Sequence, residues 1–303
     1  MKKRFNTPIL LLMFNRPETT KVIWREIKKI QPSKLFIASD GPREGNSQDR
    51  KQCDQVKKIV CNIDWKCDVK RLYRKKNLGC KIAVSNAINW FFKHVGEGII
   101  LEDDCLPNSS FFIFAEKMLK KYKYNSKIFH ISGNNSHSVK VDDDYYFSKY
   151  PHIWGWATWK RAWEDYDVNI NNWATDNTRG IFDKVFSNKI EKTFWTEVFD
   201  KVYQGKTDTW DYQWLYCCWL HKALSITPKH NLVKNIGFTK SATHTVLKNR
   251  KIYTQTYHLN FPLKHPNLIQ INKNEDKITE KKVFINSRSR IIIVIKYILK
   301  KLN

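Results

Sequence analysis

Acidic residues are scarce in this 303-residue chain: 29 Asp and Glu stand against 54 Lys and Arg, a net charge of +25. Such a surface suits anionic partners: nucleic acid, an anionic membrane face or phosphorylated small molecules. No apolar run approaches the ~20 residues of a membrane-spanning helix. Met1-Lys2-Lys3-Arg4 followed by Pro8–Phe14 imitates a secretory leader, but the apolar stretch is short and ends in Asn15-Arg16-Pro17 without a small-residue cleavage site. A buried first strand is the better reading. The seven cysteines form no C-x-x-C, and Cys53, Cys61, Cys67 and Cys80 lack zinc-finger spacing. Reduced, mostly buried thiols in a cytosolic protein are the expectation. The P-loop and dinucleotide glycine fingerprints, H-E-x-x-H and G-x-S-x-G are all absent, and no internal repeat is found.

What is present begins with alternation. Pro8–Phe14 and Lys34–Ser39 are apolar runs, and Val69–Tyr73, Ile99–Leu101 and Ile128–Ser132 read as further strands. Between them Pro17–Ile30, Cys53–Val60, Ile82–Phe92 and Phe111–Tyr122 carry apolar residues at helical spacing. This order predicts an α/β fold, a mostly parallel, doubly wound sheet flanked by helices. In such sheets ligands bind beyond the carboxyl ends of the strands. Three polar clusters fall there: Asn15-Arg16, Asp40-Gly41 and Glu102-Asp103-Asp104. Consecutive carboxylates at a strand end repel one another, and a divalent cation removes that repulsion. Hard oxygen ligands suit Mg²⁺ or Mn²⁺, which in turn hold a nucleotide diphosphate.

The second half differs. Tyr150–Trp219 is rich in tryptophan and reads as helices and irregular turns. Gly155 within Trp154–Trp159 lets backbone approach a ligand closely, and tryptophan faces stack on sugars; core packing is the competing reading. Asp208–Trp214 opens a helix, with Asp208 or Thr209 as its cap. Asp211, flanked by Trp210 and Trp214, fits a general base. Lys81 reads as a phosphate contact or a solvated lysine. Asn235–Thr245 reads as a lid that brings His244 to a metal or diphosphate, with an ordinary core or surface histidine as the competing reading. Three segments are expected: 1–135 for the nucleotide, 136–265 for acceptor and catalysis, and a basic tail, 266–303. In the tail Lys273–Asn303 holds nine basic and three acidic residues. Ile291–Leu302, with Arg288, Arg290, Lys300 and Lys301 at its ends, is either a segment in an anionic membrane interface or a helix docked on the domain, and Ile291–Ile295 also reads as a strand.

In order along the chain, Pro8–Arg16, Ser39-Asp40, Lys81-Ile82-Ala83, Glu102-Asp103-Asp104, Gly155-Trp156, Trp210-Asp211 and the loop to His244 resemble the N-acetylglucosaminyltransferase I family and bacterial capsule and lipopolysaccharide relatives. The resemblance implies a Rossmann-like glycosyltransferase A-type fold and a metal-dependent, inverting transferase using Mn²⁺ or Mg²⁺. It implies a nucleotide-diphosphate sugar donor, UDP-linked by preference, and a saccharide or lipid-linked oligosaccharide acceptor in cell-surface glycan synthesis. It assigns Asp211 as catalytic base and Asp104 and His244 to the metal. Arg16, Asp40, Lys81, Glu102, Asp103, Gly155, Trp156 and Asn235 go to the donor. A cytoplasmic protein follows, with the tail as a peripheral contact to the inner membrane face. Two departures stand out: Asp211-Tyr212 leaves one carboxylate where the family has paired acids, and Asn235 replaces a basic loop contact. A sugar nucleotidyltransferase would normally show a glycine-rich loop after the first strand, and Phe14-Asn15-Arg16-Pro17 has none. An RNA-binding protein fits the charge but leaves the acidic triplet unexplained, and a non-catalytic sugar-binding protein would bind donor without turnover.

Overall fold

A computed structural model describes residues 4–137, 139–186, 188–237 and 255–285. Strands β1 (Ile9–Met13), β2 (Lys34–Ser39), β3 (Asp68–Tyr73) and β4 (Glu97–Glu102) lie parallel in the order β3-β2-β1-β4. The crossovers are α1 (Pro17–Ile30), α2 (Ser47–Ile59) and α3 (Gly79–Phe92). β1 is buried along its whole length. Ile9, Leu11 and Met13 pack into one face cluster, and Leu10 and Leu12 into the other. Burial on both faces is why this strand reads as one apolar run. α1 starts with proline at its first turn, where no amide partner is needed, and ends on Gln31 in a left-handed conformation. α2 begins at Ser47, six residues before the expected start at Cys53. The Asn46 side chain accepts from the Asp49 amide at 2.9 Å, and this cap secures a polar first turn that carries no apolar signal.

After β5 (Cys105–Pro107) and α4 (Ser109–Lys121) come β6 (Ile128–Ser132), β7 (Tyr145–Ser148) and β8 (Trp156–Trp159). The aromatic stretch of the second half is therefore partly a strand. β8 inserts antiparallel between β4 and β6, in the middle of the eight-stranded sheet. β9 (Leu224–Pro228) runs parallel to β6, and β7 closes the edge antiparallel to β9. Six of the eight strands point the same way, so this is an α/β, Rossmann-like fold with a mostly parallel sheet flanked by helices. β10 (Val233–Asn235) pairs with β5 in a separate two-stranded ribbon, Asn235 opposite Cys105.

The remaining helices are α5 (Lys160–Trp163), α6 (Asp176–Val185), α7 (Lys189–Tyr203), α8 (Asp211–Leu220) and α9 (Lys273–Thr279), the last continuing as a π-helical turn through Phe284. α7 and α8 enclose a third, aromatic core with Tyr150, Trp173, Trp195 and Trp219. Among the described residues no helix is long and apolar enough to cross a membrane. The tail from 286 to 303 lies outside the described residues.

Candidate active site

Because β1, β2 and β4 are adjacent and parallel, the segments that follow them share one rim. The Phe14 amide donates to Asp103 Oδ2 at 2.9 Å. Arg16 Nη1 donates to Asp104 Oδ2 at 2.6 Å and lies 3.5 Å from Asp103 Oδ1. The two strand ends are thereby clamped together. Burial, with the charges of Asp104, Asp103 and Asp211, pushes the Glu102 carboxyl up to about 8. Burial also pushes Asp103 up to about 6, against the pull of Arg16. One guanidinium does not neutralise this crowd of carboxylates, so the rim favours a proton or a further cation.

Asp211, the first residue of α8, stands within electrostatic reach of Glu102. The Thr209 hydroxyl donates to the Asp211 carboxylate. The expected cap of α8 is corrected here: Trp210 occupies the N-cap position without a side-chain cap bond, and neither Asp208 nor Thr209 caps that helix. Asp208 instead accepts from the Cys80 and Lys81 amides at 3.2 and 3.0 Å, capping α3 from a distant part of the chain. It thus ties the entry to α8 onto the start of α3, in the first half of the chain.

The other expected site residues take varied positions. Asp40 is buried and held by its own turn: Gly41 and Leu78 amides and Asn77 Nδ2 donate to it at 2.9–3.1 Å. Burial raises its carboxyl above the ordinary range, with those bonds working against the rise. Lys81 Nζ donates to Asn169 Oδ1 at 3.0 Å. Gly155 has φ +63°, and a Cβ there would press on Val233 at 2.8 Å, so packing against the ribbon suffices to require glycine. Trp156 is fully buried, enclosed by His130, Trp163, Trp210 and Trp214. No sugar face reaches it in this geometry, which follows the packing reading of that stretch rather than donor stacking. Asn235 is buried and its Oδ1 accepts from the Gly237 amide at 2.8 Å. His244 lies outside the described residues.

Sequence reasoning missed four contributors. Gly237 lets the backbone after β10 lie on Asp104, whose Cβ would be 2.8 Å from any added methyl. Asn77 bridges Asp40 and Gly41. Arg74, just after β3, adds a cation beside Asp40. Asp208 supplies the cross-chain cap. Gly237 carried a signal in the sequence, as a glycine in a polar loop, and so did Asp208, as a candidate cap for the wrong helix.

Among the described residues no three His, Cys, Asp or Glu are arranged to hold a metal. A cation that takes most of its oxygens from diphosphate and water needs only one or two carboxylates. Asp104, with Asp103 beside it, fits that requirement once Arg16 yields its place. A cavity of about 250 Å³ opens beside Asp211, with Ser136, His152, Trp154, Tyr212 and Phe284 in its wall. A shallower depression of about 420 Å³ near Lys121 and Lys127 lies by the segment entering β6, away from the acidic rim.

No protein family and no curated protein matches this chain. Its fold is similar to those of solved structures, three of which follow. HddC from Yersinia pseudotuberculosis is 13% identical over 53% of this chain and 80% of that one, with a TM-score of 0.32. A 4-diphosphocytidyl-2C-methyl-D-erythritol synthase from Anaerococcus prevotii is 8% identical over 64% and 99%, at 0.36. Mouse xyloside xylosyltransferase 1 in its apo form is 10% identical over 69% and 80%, at 0.32. Likeness at this level does not inform the chemistry.

Proposed function

We propose that this chain is a nucleotide-sugar-dependent glycosyltransferase that works with inversion. The observation that carries the reading is the meeting of Glu102, Asp103 and Asp104 with Asp211 at one sheet rim, where burial first, and then the neighbouring carboxylates, raise the Glu102 carboxyl to about 8. Such a site is built for a cationic guest and its phosphates. A Mn²⁺ or Mg²⁺ held by Asp104 would neutralise the diphosphate as it leaves.

The chain's own groups do the rest. Glu102 hydrogen-bonds to a donor hydroxyl. Arg16, released from Asp104, turns to a phosphate oxygen. Asp211 removes the proton from an acceptor hydroxyl. The oxygen's electron pair forms the new bond at the anomeric carbon, and the bond to the diphosphate breaks with its pair going to the nucleotide. A positioned base adds on the order of 10²–10⁴-fold.

Thermal shift with UDP, GDP, CDP and ADP, with and without Mn²⁺, tests the donor site on the wild type and Asp104→Ala. Stabilisation by one nucleotide that needs both metal and Asp104 is expected; absence of any metal-dependent shift overturns the reading. Asp211→Asn should then lose transfer while keeping nucleotide binding. Wild-type turnover in that variant would remove Asp211 from the base role.

A further inference from the structure

We propose that the cavity beside Asp211 seats an uncharged sugar ring of the acceptor. The site is built from four separate parts of the chain: the segment after β6, the segment before β8, the start of α8, and the C-terminal π-helical turn. The ligand class deepens the transferase reading and rests on it.

Three observations choose the class. First, the wall is aromatic, with Trp154, Tyr212 and Phe284 around a volume of about 250 Å³. The Phe284 ring is itself fixed, stacked on Tyr150 at 5.0 Å and parallel to His152 within 8°. Rigid aromatic faces suit the C–H face of a pyranose. Second, the wall holds unspent hydrogen-bonding capacity. Ser136 Oγ and His152 Nε2 are buried and, among the described residues, have no partner. Buried polar groups without partners are costly, and a ligand rich in hydroxyls completes them where an aliphatic one does not. Third, although the chain carries a net +25, among the described residues neither Lys nor Arg lines this cavity. Burial, with His137 nearby, lowers His152 to about 3, so it stays neutral. A uronic acid or phosphosugar would bring its charge next to Asp211 with no cation among the described lining residues to meet it. A neutral ring meets no such penalty, and its hydroxyl lies beside the proposed base.

The test is ligand-observed saturation-transfer NMR on the full chain with Mn²⁺, using methyl glycosides of neutral hexoses and methyl glucuronide. Nucleoside diphosphate binding is measured on the same samples. At least one neutral glycoside should bind, and the glucuronide about tenfold more weakly or not at all. Ile153→Trp, which fills the cavity, should abolish the signal. Ser136→Ala should weaken it about tenfold, and carries the test if the larger change unfolds the protein. Two results overturn the proposal while nucleotide binding persists: no neutral glycoside signal, or one that neither variant alters. Equal binding of the glucuronide overturns the uncharged class. If the glycosides bind through the cavity but no nucleoside diphosphate binds, the transferase reading falls and the sugar pocket stands.

Discussion

The Asp208 cap lends itself to a direct perturbation. α3 has Leu78 at its N-cap position, a side chain that accepts nothing, so the helix borrows a carboxylate from the segment before α8. Asp208→Ala leaves the Cys80 and Lys81 amides to water. Losing a cap costs about 1 kcal/mol, and removing a negative charge from a helix N-terminus adds roughly 0.3–1. The side chain is exposed, which keeps the charge part small. The expected loss is about 1–1.5 kcal/mol in urea unfolding, read as a lower midpoint at constant slope. Asp208→Asn keeps the acceptor and drops the charge, and should recover at least half of that loss. Salt separates the two parts, since only the charge component is screened. An Asp208→Ala midpoint within error of wild type would refute the assignment. A loss equal in the Ala and Asn variants would show that charge alone is at work. Because the cap lies three residues before Asp211, the Ala variant should also lower kcat with little change in nucleotide affinity.

Gly237→Ala forces a methyl against the Asp104 carboxylate and should weaken metal-dependent nucleotide binding at least tenfold by thermal shift, with a smaller effect without metal. Trp156→Ala removes a ring from the middle of the sheet and should cost about 3–5 kcal/mol in denaturant unfolding. His130 and His152 are buried and held down to about 3, whereas the unfolded chain protonates them near 6.5. Below pH ~6.5 the unfolded state therefore binds more protons, and stability falls as pH drops toward 3. In His152→Gln that acid limb should be shallower by up to about 1.4 kcal/mol per pH unit, and an unchanged slope would show that His152 charges freely in the fold.

Legibility in the sequence tracked how local each cause is. β2 and β6 were bounded to the residue by their apolar runs, and α1 by Pro17 and its stripe. The three rim clusters were legible because parallel strands put every strand end on one side. β8 was not: four residues of Trp, Ala and Thr show no period, and its antiparallel place between β4 and β6 is set by partners far along the chain. For the same reason Trp156 looked like a ligand platform, since an aromatic beside a glycine reads alike whether it stacks on a sugar or on Trp210. The Asp208 cap was misread onto its own helix because side-chain capping is usually local, and here the helix served is another one. The meeting of Asp211 with Glu102 is tertiary and had no local trace.

The pairing of β5 with β10 also sets an order of assembly. Cys105 emerges directly after the acidic triplet, yet its strand partner is Asn235. β4 likewise waits for β8 before its second edge is covered. Loop closure over such separations is slow relative to the local contacts of the first three βα units. A chain still being synthesised can form that early half with its carboxylates in place. Until the ribbon closes, Gly237 does not lie on Asp104, and until α8 is made and docked, Asp211 does not reach Glu102. On the proposed function, chemical competence would thus be the last property this fold acquires, and a partly made chain would hold the acids without the means to act on a donor.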